Sequence, residues 1–309
     1  MHLSTKGLWE YPSQIGFKIP DVGEPQYYKD SECRILDGRV IAKNLVAQCH
    51  RLKEHHPLVI PKLVAILVGD HAPSKIYVGR KMKAFEEAGF ASEVIEIPEK
   101  NVSLKGLNET IEKLNQDPLV HGILVQLPLP DFLDTHEVIH KIHPSKDVDG
   151  FLDGYLAQLA LGRFPPIIPC TALGVGILLQ CYGISMPSQH VVVIGRSRHV
   201  GRPCAWMALN QDATLTLAHS KTQDLPNLLK TADVIISATG NPWFIQPEFL
   251  KSGAVGIDVG ISQDTDKKIK GDFHPDCQKK LRGLSPVPGG VGPLTVAMLC
   301  VNTAILAWK

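Results

Sequence analysis

The chain has 309 residues, 44% hydrophobic and 20% charged, which suits two soluble globular domains with a crevice between them and excludes extended disorder. Thirty-two basic residues stand against thirty-one acidic ones for a formal charge of +1, so no overall field attracts nucleic acid or an anionic membrane, and an anionic ligand must be met by local groups. Seven cysteines without a C-x-x-C pair argue against a disulfide framework or thiolate zinc site; with no apolar run near the roughly twenty residues of a membrane span and no secretory h-region, a cytoplasmic protein is expected.

Residues 1–33 show neither helical nor strand periodicity and are expected to form an extension, irregular or draped over the first domain, with ordered structure from Ile35. Helical spacing over 39–52 leads to a buried strand over 63–68. Ser74 is then the expected N-cap of a helix reaching Ala88 and closed by Gly89. A strand over 92–97, a helix over 104–114 and a strand over 121–126 complete a series of parallel βαβ units. The prolines of LPLPDFLDT after Gln126 exclude a regular element, and a short helix over 136–142 precedes the polar loop PSKDVDG at 144–150. Both loops fall beyond the carboxyl ends of the strands, where ligands bind in open α/β sheets.

A helix over 172–181 opens a second series, with strands over 191–194, 214–218, 233–238 and 255–259 and a buried terminal helix within 294–307. The stretch VVVIGRSRHVGRP at 191–203 reads as a buried strand, a turn at Gly195 and a helix over 199–209. The first-turn N–H groups of such a helix have no partner within it and can meet a phosphate. Gly201 reads as the position where helix and strand pack too closely for a Cβ. Ser197 replaces the middle glycine of G-x-G-x-x-G, so by spacing alone a structural turn explains the motif as well. Where NAD-selecting folds place an acidic residue, the second strand ends in His219, Ser220 and Lys221; with Arg196 this basic edge suits a 2′-phosphate and favours NADP.

Several residues of the first half are candidates for chemistry. Tyr77 and Lys81 lie one turn apart on one helix face, apart from the apolar stripe of Val78, Met82 and Phe85. Lys81 can serve as a base and Tyr77 as a flat face for a ring, although Arg80, Lys81 and Lys83 also read as a plain basic face. Gln126 can orient a lysine or a substrate carbonyl, or bond its own loop. Asp147 and Asp149 can ligate a metal, grip a heterocycle or make Asx turns; turns are the default, and a metal is disfavoured because no His or carboxylate cluster is apparent nearby. The glycines of PVPGGVGP allow close approach of a flat ligand or simply form a loop.

Taken together, SKIYVGRKMKA, GILVQLPLP, KDVDG, IPCT, VVVIGRSRHVGRP, HSKT, DVGI and PVPGGVGPLTVAM resemble the bifunctional methylenetetrahydrofolate dehydrogenase/methenyltetrahydrofolate cyclohydrolase family of one-carbon metabolism, from about Ile35 to the C-terminus. The resemblance implies an α/β fold of two domains flanking a cleft. A folate-binding catalytic domain with a mostly parallel sheet takes 34–168 and 291–309, a Rossmann-like NADP-binding domain takes 169–290, and 1–33 is the extension. It implies oxidation of 5,10-methylenetetrahydrofolate with NADP, then hydrolysis to 10-formyltetrahydrofolate, with no metal. Tyr77, Lys81, Gln126 and Asp149 are the implied catalytic residues: Tyr77 stacks on the folate, Lys81 serves the hydrolysis, Gln126 bonds that lysine, and Asp149 grips the pterin. Val125, Leu127, Pro288, Gly289, Gly290, Val291 and Gly292 complete the implied substrate site. Gly195, Arg196, Ser197, Gly201, Ser220, Ile261 and Thr295 are the implied cofactor contacts, and a homodimer is the implied assembly. Ala172 stands where a proline is common and Leu294 where methionine is usual.

Overall fold

A computed structural model describes residues 7–263 and 268–308; residues 1–6 of the expected extension and Lys309 lie outside the described residues. Order begins well before Ile35. A short helix, α1 (Glu10–Gln14), lies among Leu8, Trp9 and Phe17, all three buried in the main core. Trp9 and Phe17 meet edge to face with ring centroids 6.4 Å apart. These aromatics show no periodicity because they act singly, each burying a large apolar surface from beside a helix too short to show a period. Gln48 then holds the chain at Lys18: its Oε1 accepts from the Lys18 N–H at 2.7 Å and its Nε2 donates to the Lys18 carbonyl at 2.9 Å.

The first half follows the expected alternation. Strand β1 (Arg34–Ile35) precedes α2 (Gly38–His55), whose cap is Asp37, accepting from the Arg39 N–H. Strand β2 (Lys62–Val68) is the centre of a three-stranded parallel sheet, with β3 (Ala91–Ile97) on one side and β4 (Gly122–Val125) on the other. All of β2 but Lys62 is buried, which is why the strand is a continuous apolar run. The crossovers are α3 (Ala72–Glu87) and α4 (Leu104–Gln116). Ser74 is not the cap of α3. His71 holds that position, and Ser74 Oγ instead lies 2.8 Å from His71 Nδ1. Helices α5 (Thr135–Ile139) and α6 (Asp153–Ala160) flank the KDVDG loop; α6 has too few residues for a readable period.

The second half comprises α7 (Cys170–Cys181), β5 (His190–Ile194), α8 (Gly201–Leu209), β6 (Thr214–Ala218), α9 (Leu225–Thr231), β7 (Val234–Ser237), β8 (Val255–Asp258), a small ribbon of β9 (Ser262–Gln263) with β10 (Ile269–Lys270), and β11 (Gly283–Leu284). Strand β1, counted with the first half in the sequence division, pairs in parallel with β11, so the larger sheet runs β1-β11-β8-β7-β5-β6. All its strands are parallel, and the order in which they are laid down reverses at β5, which lies between β6 and β7. Such a reversal opens a crevice at the carboxyl ends of the strands.

Helix α10 (Val291–Trp308) returns to pack on α2, α3 and α7. Its 18 residues are long and apolar enough to cross a membrane by length and composition, contrary to the expectation that no run comes near a span, yet 61% of the segment is buried inside the fold. From within α10, Asn302 Nδ2 donates to the carbonyls of Val148 and Ile168 at 2.9 and 3.1 Å, which ties the helix to the segments before Asp149 and Cys170. Leu294 and Ala172, the two departures from the family pattern, are both fully buried and carry no polar group.

Candidate active site

Helix α3 and the end of β4 bring together the two residues expected to act on a proton. Lys81 Nζ donates to Gln126 Oε1 at 3.0 Å, while Gln126 Nε2 donates to the Leu127 carbonyl at 2.6 Å. The amide is thereby fixed with its oxygen toward the amine. Lys81, Val125, Gln126, Leu127, Asp149 and Thr295 line a cavity of about 240 Å³. Phe151, Cys170, Thr171 and His199 line it too; they were not among the expected site residues, although each lies in or beside a quoted motif.

The two aspartates of KDVDG divide their roles. Asp147 is 1% exposed and accepts from the Gly150 and Leu152 N–H groups, both at 2.9 Å, so it makes the turn. Burial pushes its carboxyl up to about 6. Asp149 faces the cavity instead, where desolvation raises its carboxyl while the Lys81 charge and the Cys170 thiol act in the opposite direction.

Tyr77 lies one turn before Lys81, partly buried, with the Arg80 guanidinium 5.9 Å from its ring centre. It is absent from the cavity lining, as are Pro288, Gly289, Gly290, Val291 and Gly292. That loop is seated on the start of α2: the Gly38 N–H donates to the Gly289 carbonyl at 2.9 Å, and a Cβ on Gly38 would stand 1.9 Å from the Gly290 oxygen. Gly289 has φ +116°, which favours glycine. Thr295, expected to touch cofactor, lines the same cavity as Lys81 and donates from Oγ1 to Thr171 Oγ1 at 3.3 Å.

The turn after β5 is built for close approach. Gly195 has φ +113°, and a Cβ there would meet the Ala238 carbonyl oxygen at 2.6 Å. Gly201 would place a Cβ 1.9 Å from the Gly195 oxygen. Two of the N–H groups at the start of α8, expected to be free, are engaged: Val200 and Gly201 donate to Ser197 Oγ at 3.3 and 3.2 Å. As their acceptor, the Ser197 hydroxyl keeps its own proton to donate outward. Because Ile194 pairs with Ala218, Arg196 and Ser197 emerge beside His219, Ser220 and Lys221; Arg196, Ser197, Ser220 and Lys221 are exposed. Ile261, 46% exposed, follows the end of β8 on the same edge.

His136, His140 and Asp153 also come together, with donor atoms within 4.8 Å of one another. This corrects the reading that no such cluster lies near KDVDG; the helix period of α5 and the start of α6 assemble it. Its carboxylate already has partners, since Arg198 contacts Asp153 Oδ1 and His140 Nε2 stands 3.1 Å from Oδ2. All seven cysteines are free and six are buried.

Two parallel sheets, a lysine–glutamine pair and a glycine-cradled turn define an α/β enzyme of the dinucleotide-dependent class. The chain belongs to the tetrahydrofolate dehydrogenase/cyclohydrolase family: the family's catalytic-domain model matches residues 36–149 and its NAD(P)-binding-domain model residues 169–309. It is 43% identical over 274 residues to the bifunctional protein FolD of Streptococcus thermophilus, covering 87% of this chain and 95% of that one. Among solved structures it is similar to FolD methylenetetrahydrofolate dehydrogenase/cyclohydrolase from Campylobacter jejuni (TM-score 0.85, 40% identity, 89% of this chain and 98% of that one). It is also similar to the Trypanosoma brucei enzyme complexed with NADP cofactor and inhibitor (TM-score 0.85, 36% identity, 89% and 97%).

Proposed function

We propose that the protein oxidises 5,10-methylenetetrahydrofolate to the 5,10-methenyl cation with NADP, then hydrolyses the cation to 10-formyltetrahydrofolate. The observation that carries this reading is the Lys81–Gln126 hydrogen bond at the wall of a cavity that also holds Asp149. NADP supplies the hydride acceptor. Gly195, Arg196, Ser197, Gly201, Ser220 and Ile261 hold it, the two glycines by letting the turn fold tightly against Ala238 and the start of α8, and Arg196 by charge on the 2′-phosphate. Hydride loss moves no proton, so the residues contribute by position: Tyr77 stacks on the folate, Asp149 fixes the pterin edge, and the loop of Pro288, Gly289, Gly290, Val291 and Gly292 walls the cleft.

Hydrolysis does need a base. As water adds to the methenyl carbon and quenches its positive charge, Lys81 in its unprotonated amine form accepts the water's proton, with Gln126 Oε1 aiming the amine; the C–N5 bond then breaks, N5 keeping the electron pair and taking the hydroxyl proton, to leave the 10-formyl group. The domain division is proposed as 34–168 with 291–309 for folate and 169–290 for NADP, with α10 packing on α2 and α3 of the first unit and on α7 where the two meet. A cytoplasmic homodimer through the NADP-binding halves is proposed as well, supported by Leu209 and Leu217, 51% and 36% exposed beside and on the edge strand β6.

The test is a spectrophotometric assay following NADPH formation and then decay of methenyl absorbance in wild type and Lys81→Met. The variant should lose hydrolysis and keep measurable hydride transfer. Hydrolysis at a near wild-type rate would remove Lys81 from this role.

A further inference from the structure

The residues that follow the two halves of the site are fastened to each other. Arg198 and His199 come directly after Ser197 in the turn between β5 and α8, whereas Phe151 and Asp153 come directly after the Asp149–Gly150 pair of the folate-side loop. Arg198 Nη2 contacts Asp153 Oδ1 and donates to the Phe151 carbonyl at 3.2 Å, and His140 Nε2 lies 3.4 Å from the same Nη2. The His199 ring stacks on Phe151 with centroids 3.9 Å apart and planes 18° apart. Burial and the neighbouring Arg198 charge lower His199, so the stack is between two uncharged rings near neutrality. An ion pair, a charge-assisted bond to a main-chain oxygen and a ring stack therefore join the same two short segments.

We infer that Arg198 and Asp153, with the His199–Phe151 stack beneath them, form a clasp that couples the two ligands: a turn ordered by NADP holds the loop bearing Asp149 in its folate-binding position, and the reverse. The inference rests on the proposed assignment of Gly195, Arg196 and Ser197 to NADP and of Asp149 to folate. Arg198 and Asp153 are positioning residues, acting through their neighbours. Coupling of this kind must be mutual, since each ligand changes the other's affinity by the same factor. Among the described residues these four side chains make the contact nearest both ligands: the Asn302 bonds run to the carbonyls of Val148 and Ile168 and not to the NADP turn, and the packing of α6 on α8 is fastened at the far ends of both helices, where Asn210 Nδ2 donates to the Leu159 carbonyl at 2.8 Å.

The test is calorimetric titration of NADP⁺ into the full-length protein with and without tetrahydrofolate, which lacks the methylene carbon and cannot react. Wild type should bind NADP⁺ about five- to tenfold more tightly when tetrahydrofolate is present. In Arg198→Ala and Asp153→Ala the ratio should fall to within about twofold of one, with NADP⁺ binding alone changed less than about threefold. The double variant should fall no further than either single one, as expected of two halves of one contact. A general loss of structure would instead weaken both ligands without removing the ratio. A ratio kept in both single variants overturns the clasp. So does a tenfold loss of NADP⁺ binding alone in Arg198→Ala with an unchanged ratio in Asp153→Ala, which would make Arg198 a direct cofactor contact. A wild-type ratio near one with both ligands bound overturns the clasp alone, whereas failure of wild type to bind either ligand overturns the site assignment and the clasp with it.

Discussion

Gly201 stands so close to Gly195 that a Cβ would come within 1.9 Å of its carbonyl oxygen and 2.5 Å of its carbonyl carbon. Both atoms are main chain and cannot rotate aside. Gly201→Ala is therefore expected to push the start of α8 off β5, at a cost of at least about 1–3 kcal/mol, and to abolish NADP⁺ binding. Urea denaturation and cofactor titration together check this; an alanine variant with wild-type stability and cofactor affinity would mean that the helix has slack at this point.

Arg196 projects from the same turn beside Ser220 and Lys221. If it grips the 2′-phosphate, Arg196→Ala removes a charge-assisted contact worth about 1.5–3 kcal/mol, and the KM for NADP⁺ should rise about 10- to 100-fold. The KM for NAD⁺, which lacks that phosphate, should hardly move. Steady-state kinetics with the two cofactors measure the difference, and an equal rise for both would assign Arg196 to another part of the dinucleotide.

The carboxyl of Asp258, at the end of β8, accepts from the N–H groups of Gly260, Asp272 and Phe273. Burial nevertheless raises it from 3.8 to about 7, the opposing hydrogen bonds being weaker. Between pH 4 and 7 the folded state keeps a proton that the unfolded chain releases, so this group's contribution to stability falls as pH rises through that window, then levels off. At about 1.36 kcal/mol per unit the change is at most roughly 4 kcal/mol. Asp258→Asn keeps one acceptor and cannot titrate. The stability gap between wild type and Asp258→Asn should therefore narrow from pH 4 to pH 7 in urea melts; a constant gap would place the titration elsewhere.

Leu8 sits where a Cβ on Gly176 would meet its Cδ2 at 2.3 Å, and Trp9 and Phe17 are nearly inaccessible. Trp9→Ala should cost about 3–5 kcal/mol, and deleting residues 1–20 should cost more. Leu8, Trp9 and Phe17 do not line the cavity at Lys81, so kcat at low temperature should survive while the thermal midpoint falls. Loss of kcat with an unchanged midpoint would make the segment part of the site.

Where an element buries a continuous apolar face, its pattern was plain in the sequence: β2, β5 and the parallel order of their neighbours follow from runs such as LVAIL and VVVI and from the helices between them. Lys81 and Gln126 were legible as candidates because each ends or lines such an element, and the family motifs singled them out. The contacts across the cleft were not. Arg198 and Asp153 are 45 residues apart in the chain, and nothing local about either signals the other. Leu8 and Trp9 were missed for the same reason, since a single anchor residue in a segment without period gains its meaning only from the groove it fills. Ser74 gives way to His71, three residues earlier, as the cap of α3, because a residue preference for serine says nothing about where the chain first turns into the helix.

The pairing of Arg34 with Gly283 and of Ile35 with Leu284 sets a limit on how the molecule can be taken apart. A fragment starting at residue 169 would retain β5 to β8 and β11 but not β1, leaving β11 with an uncovered row of main-chain donors and acceptors. An open parallel edge of this kind recruits strands from other molecules. The β11 edge of the NADP-binding half is thus covered by two residues at the very start of the folate-binding half, and a gene split at the apparent boundary would separate that edge from its own guard.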